Sequence, residues 1–300
     1  MAVGPAVGEV SREHGVNSDD FEKRLAEFRP RLHRYCARMV GSAIDGEDVL
    51  HDSLVKALRA WTQGTQVENL EAWLLRIAHN TSLDFLRRRS RNTIVPLTDS
   101  LPGGPEPETD IVAIGFEAFL RLPELQRCAV ILKDVLGHSL EEIAAIAGCT
   151  PAASKSALQR GRLALRQWAR QSEGTRLPLM AESEREKMLV YVRLFQNGDF
   201  DAIRTMLADD VRLDLVNRLR LEGRERISPY FTRYAQEPKW RFAFGAIEGR
   251  PAMLVFDETG GMERPAHFVL LDWTQDEIAA IRDFLFASYV AETADWVRLG

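Results

Sequence analysis

Hydrophobic and polar positions along the chain fall into three blocks, two with a helical period and a third that passes from helical to period-two spacing. In the segment GEDVLHDSLVKALRAW, Leu50, Leu54, Ala57, Leu58 and Trp61 share one side of a helix, and Asp48, Asp52, Lys56 and Arg59 line the opposite face. In EAWLLRIAHNTSLDFLRRRSR, at about 100° per residue, Leu74, Ile77, Ala78, Thr81 and Phe85 form a second core stripe. Trp73, Arg76, Asn80, Asp84 and Arg87 gather on another face of that helix. The pattern predicts three or four helices over 20–91. A second helical block runs over 116–170. From Glu184 a helix bearing Met188, Val192 and Phe195 gives way, past Asn197-Gly198-Asp199, to period-two runs such as VRLDLV, WRFAFGA, PAMLVFDETGG, HFVLLDW and IAAIRDFLFASYV. The expected architecture is two all-α domains followed by an α+β domain built on a curved antiparallel sheet.

Composition separates the blocks. Residues 1–19 read as a loose tail, 92–115 as an acidic Pro/Gly-rich linker without Lys or Arg, and 171–183 as a second linker ahead of 184–300. No apolar run is long enough to span a membrane, and the first residues lack the pattern of a secretory leader, so a cytoplasmic location and no membrane partner are expected. Cys36, Cys128 and Cys149 lie far apart with no metal-ligand spacing; neither a zinc site nor a disulfide framework is expected, and no cofactor is implied.

The second helical block carries the sharpest local signal. Ser139 and Glu142 make a capping box, and Gly148 supplies the turn after Ile143, Ala144 and Ala147. Thr150 can then cap a helix that has Pro151 at its first position. On that helix Ala153, Ala157, Ala164 and Trp168 face inward, while Lys155, Gln159, Arg162 and Arg166 face away, flanked by Ser156 and Arg160. Small residues beneath and cations above are what a major-groove recognition helix requires, so this unit is a helix-turn-helix.

Charge sharpens the reading. The chain has a formal net charge of -5, yet Arg87, Arg88, Arg89 and Arg91 crowd one helix end. Cations neutralise phosphates, an aromatic such as Trp73 stacks on an exposed base, and an amide such as Asn80 bonds base edges. The acidic stripe of the preceding helix suits either solvent or a partner helix.

Taken together, EDVLHDSLVKALRAW, NLEAWLLRIAHNTSLDFLRRRSR and RLPELQRCAVILKDVLGHSLEEIAAIAGCTPAASKSALQRGR resemble the extracytoplasmic-function (ECF) class of bacterial sigma factors over roughly residues 20 to 170. The resemblance implies that 20–91 is sigma region 2 and 116–170 is region 4. It implies core RNA polymerase, through clamp and flap contacts, and promoter DNA as partners. Asp48, Asp52 and Lys56 become candidates for polymerase docking. Trp73, Arg76, Asn80, Arg87 and Arg88 become candidates at the -10 element, and Lys155, Ser156, Gln159, Arg160 and Arg162 at the -35 element. The loop TQGTQVEN falls where the family captures a flipped base.

The third block, through NGDFDAIRTMLADDVRLD, resembles the SnoaL-like branch of the cone-shaped NTF2-like fold, which some sigma factors of this class carry in place of a separate anti-sigma protein. In one such subgroup an Asp-Gly-rich linker motif matters for control; QSEGTRLPLM lacks it. Asp214, His267 and Asp272 are the polar residues to inspect for acid-base chemistry or an unknown small ligand. The preferred reading is not an enzyme but a domain that regulates the sigma factor to which it is fused. A polymerase-independent DNA-binding regulator, or a cone-fold enzyme or ligand sensor with a DNA-binding half, are the alternatives.

Overall fold

The computed structural model describes residues 18–90, 111, 114–169 and 181–299. The two expected linkers lie largely outside these residues. Three helices form the first block: α1 (Ser18–Val40), α2 (Ala43–Thr62) and α3 (Leu70–Ser90). α1 and α2 approach closely at Gly46, where a Cβ would lie 2.6 Å from the Ala37 Cα. The stripe on α2 is rotated from the expected one. Val49, Leu50, Ser53, Leu54 and Ala57 are buried, whereas Leu58 is 38% exposed. Trp61 stacks on Phe21 of α1 at 4.1 Å, and this contact closes that end of the bundle without Leu58.

The second block contains α4 (Phe116–Leu120), α5 (Glu124–Val130) running into a π-helical turn at Ile131–Val135, α6 (Leu140–Ala147) and α7 (Pro151–Ala169). The capping box forms as its chemistry dictates, with Glu142 N donating to Ser139 Oγ at 3.1 Å and Ser139 N donating to Glu142 Oε2 at 2.8 Å. Gly148 ends α6 in the left-handed conformation, φ 68°. α7 crosses α5 at Gly161, where a Cβ would come within 2.7 Å of Val130 Cγ2.

These two helical blocks share one core. Leu32, Tyr35 and Met39 of α1 pack with Phe119, Leu122, Ile131 and Leu165 of the second block. Buried Arg127 crosses the seam, donating to the Met39 carbonyl at 2.6 Å and the Leu122 carbonyl at 2.9 Å. Arg31 and His138 both converge on Glu71, at 2.6 and 3.5 Å.

Two buried histidines make this core sensitive to acid. His33 bonds the Ala43 carbonyl at 2.9 Å, and His79 bonds the Tyr35 hydroxyl at 2.8 Å. Burial drives both imidazoles down to about 4. Between pH 6.5 and 4 the unfolded chain therefore binds a proton at each position that the folded chain refuses. Stability falls as the pH is lowered through that window, by about 1.4 kcal/mol per pH unit for each group. Urea unfolding at pH 7 and pH 5 checks this: a midpoint that holds or rises at pH 5 contradicts it.

In the third block α8 (Glu182–Asn197) and α9 (Phe200–Thr205) precede a seven-stranded sheet. Its strands are β1 (Leu207–Leu215), β2 (Leu219–Glu222), β3 (Trp240–Ile247), β4 (Arg250–Asp257), β5 (His267–Thr274), β6 (Glu277–Asp283) and β7 (Trp296–Arg298). Helix α10 (Arg224–Ala235) lies between β2 and β3, and α11 (Ser288–Thr293) between β6 and β7. The strand order is β2-β1-β6-β5-β4-β3-β7, and β1 pairs with β6 in parallel. This α+β unit has the helices-then-sheet order of the SnoaL-like resemblance. Three expectations change. The sheet is mixed rather than antiparallel. It is open, with β2 and β7 as edges, so cone closure is not seen. The run IAAIRDFLFASYV is not one strand: it leaves the sheet at Asp283 and turns helical at Ser288.

Both faces of the sheet are covered, which explains the unbroken burial of Ala252–Phe256 in β4. Met253 and Val255 face α8 and α10, packing with Tyr191, Phe195, Phe231 and Phe244. Trp240 and Phe242 border this same core. Leu254 and Phe256 face the other way, in a cluster with Phe268, Phe284 and Val290 that also takes in Ala37, Ala43 and Ile44 of the first block. The outer face of the sheet is thus finished by α1 and α2.

Candidate nucleic-acid and docking interfaces

On α3, Leu74, Ala78 and Thr81 are buried, as the spacing predicts, with Ile77 and Phe85 half-buried; Leu75, His79 and Ser82 are buried as well, His79 bonding the Tyr35 hydroxyl of α1 at 2.8 Å. What remains outside is the predicted polar face. Arg76, Asn80, Arg87 and Arg88 are exposed and Trp73 is half-buried against the core. Asp84 sits among them, 3.3 Å from Arg87 and 4.0 Å from Lys56. The loop at 63–69 is exposed except at Val67, which packs against the core, and it lies beside the start of this helix. Cations, an amide and an edge of indole on one accessible face form a surface able to hold a nucleic-acid strand.

On α7 the inward positions Ser154, Ala157, Leu158, Gly161 and Leu165 pack against α5 and α6, leaving Lys155, Ser156, Gln159 and Arg160 exposed together. Arg162 behaves differently. Its Nε donates to Asp134 Oδ2 at 2.9 Å and its Nη2 to Asp134 Oδ1, a two-point pair that ties α7 to the π-helical turn. Sequence reasoning placed Arg162 with its neighbours because helical spacing reveals which face a residue occupies but not a partner 28 residues away.

The acidic end of α2 is engaged by several side chains of the third block. Asp48 is held by Arg282 of β6, with contacts of 2.5 and 3.2 Å. Asp45 is held by Arg250 of β4 at 2.8 Å. Glu248, at the tip of the β3–β4 hairpin, accepts from Ser42 Oγ and from the Ala43 amide, both at 2.6 Å, so the carboxylate of the third block supplements the helix cap of the first. Glu47 is 1% exposed and accepts from Arg29 at 2.9 Å and from the Tyr289 hydroxyl at 2.7 Å. Burial pushes the carboxyls of Glu47 and Glu248 upward, opposed by Arg29 in one case and by Ser42 in the other. Asp52 stays exposed, and Lys56 turns away to Thr81 at 3.1 Å.

Glu248 occupies a costly position. Its φ is 50°, followed by Gly249 at 75°, as in a two-residue hairpin turn with both central residues left-handed. Such a turn favours Asn, and a glutamate there costs about 1 kcal/mol or more. The carboxylate contact with α2 accounts for a long acidic side chain at a site where a shorter amide would suit the backbone better. Asn217, φ 69° in the β1–β2 turn, likewise touches Arg29 and donates to the Tyr289 hydroxyl at 2.8 Å. Residues 248 and 217 were not singled out from sequence; the glutamate in an EG turn was the one local signal that could have found the first.

The three polar residues of the third block do not come together. Asp272 is exposed, and Asp214 pairs with Arg220 at 3.3 Å and lies 3.8 Å from Arg282, facing α2. His267 is buried, 2.8 Å from the Tyr234 hydroxyl. The carboxylate near it is Asp283, which accepts from Tyr230 and Tyr234 at 3.0 and 2.7 Å. Burial lowers the His267 imidazole and holds both tyrosines protonated far above their usual range. The cluster is a satisfied set of donors and acceptors packed among aromatic rings. Cys36, Cys128 and Cys149 are free thiols, and no helix among the described residues is long and apolar enough to cross a membrane.

Two helical units, one with a basic, amide-bearing helix face and one with a helix-turn-helix, define a DNA-binding transcription protein. Residues 25–92 match the Sigma-70 region 2 family and residues 117–165 match Sigma-70, region 4. The ECF RNA polymerase sigma factor SigG of Mycobacterium tuberculosis is 26% identical over 303 residues, covering 89% of this chain and 81% of the relative. The RNA polymerase sigma factor CarQ of Myxococcus xanthus is 30% identical over 156 residues, covering 50% of this chain and 88% of CarQ. The crystal structure of the M. tuberculosis extracytoplasmic function sigma factor SigJ is 17% identical, covering 88% of this chain and 95% of SigJ, with a TM-score of 0.35. The chain belongs to the ECF RNA polymerase sigma factors, regulatory proteins that bind core RNA polymerase and recognise -35 and -10 promoter elements.

Proposed function

We propose that this sigma factor is held in a closed, self-masked state by its third block, and that core RNA polymerase competes with that block for the acidic end of α2. The observation that carries the reading is the pairing of Arg282 with Asp48, the residue assigned to polymerase docking, beside the Glu248 contact with the start of the same helix. Asp52 remains available for a first encounter, with Lys56 at the edge of the same surface.

In this reading Trp73, Arg76, Asn80, Arg87 and Arg88 meet the -10 strand, with the loop at 63–69 beside the captured base. Lys155, Ser156, Gln159 and Arg160 meet the -35 element, and Arg162 braces their helix through Asp134 instead of reading a base. Size supports a closed state. A body of about 150 residues has a diameter of roughly 40 Å, whereas elements centred about 25 base pairs apart lie roughly 85 Å apart along B-form DNA. Regions 2 and 4, sharing one core, reach both elements only after the seam at Arg127 and Glu71 opens.

Co-elution with core polymerase tests the reading, using the full chain and residues 1–175. Preferential retention of the shorter form is expected. Equal or better retention of the full chain overturns masking and makes the third block permissive or activating.

A further inference from the structure

A cleft of about 410 Å³ lies where α2 meets the β1–β2 turn, bounded on one side by Glu47 and Asp48 and on the other by Arg218, Arg220 and Arg282. Its charges divide largely by origin, with Arg29 of region 2 and Asp214 of the third block as the exceptions. Apart from Arg29, the cations come from the third block, whereas two of its carboxylates come from region 2. Asp48 is therefore a carboxylate seated in a guanidinium site that belongs to the third block. Three further features distinguish that site from a simple ion pair. Arg282 also stacks on Phe284 at 5.0 Å, which fixes the plane of its fork. Its Nε is buried with no hydrogen-bond acceptor in reach, the nearest carboxylate oxygen being that of Asp214 at 3.8 Å. Arg218 lies over the ring of Phe286 at 5.6 Å and has no carboxylate partner among the described residues. The cleft thus holds one guanidinium more than its own acids neutralise, together with apolar wall from Leu215 and Leu219.

We propose that this cleft is an effector site for a small anion, a molecule of metabolite size bearing a phosphate or carboxylate group, which imitates Asp48. Guanidinium forks bind both groups in the same two-point manner. An anion seated on Arg218 and Arg282 takes donors from Asp48 and places negative charge against Glu47 and Asp48, which drives α2 away from the third block. Coupling is reciprocal: polymerase bound to α2 vacates Arg282 and raises the affinity of the cleft for the anion by the same factor. The regulatory consequence rests on the masking proposed above, whereas the binding itself does not.

The test uses the full-length chain and two probes, inorganic pyrophosphate and citrate, titrated calorimetrically at constant ionic strength. Saturable 1:1 binding of at least one probe, with a Kd of about 1 mM or below, is expected, and the probe that binds identifies the group. Arg218→Glu should weaken that binding at least tenfold without lowering the melting temperature. Hydrogen exchange over Ala43–His51 should rise when the probe binds. The proposal is overturned if neither probe saturates, if Arg218→Glu binds as the parent does, or if exchange over α2 falls on binding. Because calorimetry needs no polymerase, loss of this site leaves masking standing; equal capture of full-length and shortened chains removes masking without touching the site.

Discussion

Full-length protein carrying Arg282→Glu is expected to bind core RNA polymerase at least about tenfold more tightly than the unsubstituted chain, a difference of about 1.4 kcal/mol. The substitution removes the fork that grips Asp48 at 2.5 and 3.2 Å and sets a carboxylate against Asp48 and Asp214. With Asp48 49% exposed and Arg282 23% exposed, the native pair by itself contributes on the order of 1 kcal/mol, because water screens it. Repulsion supplies the rest. The apolar part of the contact, Ala43 and Ile44 against Phe284 and Val290, stays in place, so complete release is not expected. Glu248→Asn serves as an independent check. Asn suits the left-handed turn better than Glu and leaves the hairpin at least as stable, yet it is too short to reach both Ser42 and Ala43. Tighter polymerase binding by both variants supports masking; unchanged binding by both, with an unaltered melting temperature, refutes it.

Asp283→Ala should be strongly destabilising to the third block. The carboxylate is 0% exposed and accepts from the Tyr230 and Tyr234 hydroxyls and, at 2.9 Å, from the Leu285 amide. Truncation strands donors that burial keeps protonated, Tyr230 above all, since Tyr234 retains His267. Stranded buried donors cost about 1–3 kcal/mol each, so a loss of roughly 3 kcal/mol is expected. For a chain of this size that corresponds to a melting temperature lower by about 5 °C. Asp283→Asn retains one acceptor oxygen and should lose less. An alanine variant that melts with the parent would show that the cluster is dispensable to the fold and would return His267 and Asp283 to consideration as chemical groups.

The helical half was largely legible in the sequence because its signals are local. The capping box at Ser139 and Glu142, the glycine at 148 and the small residues under α7 each act within one or two turns, and each appears where the spacing puts it. Leu58 misled because the bundle is closed there by Ala57 on one side and by the Phe21–Trp61 stack one turn later, which leaves the position between them facing outward. The third block was less legible. Helix α10 carries Ile227, Tyr230, Phe231 and Tyr234 at helical spacing, a signal available but obscured by Pro229 within the segment. The parallel β1–β6 pair and the bend after Asp283 depend on contacts between distant segments, which no local pattern encodes.

The sequence by itself determined that α3 and α7 each carry an exposed cationic side, which follows from residue type and a 100° period. It also determined that the start of α2 is acidic. Only the tertiary structure decided what that acid meets, since Arg282, Arg250 and Glu248 lie some 200 residues further along the chain and reach α2 through the register of a sheet. Likewise it decided that Arg162 faces Asp134, and that the carboxylate near His267 is Asp283 rather than Asp214 or Asp272. Local spacing sets the side of an element on which a residue lies; the partner on that side is chosen by packing, where burial and charge are satisfied together.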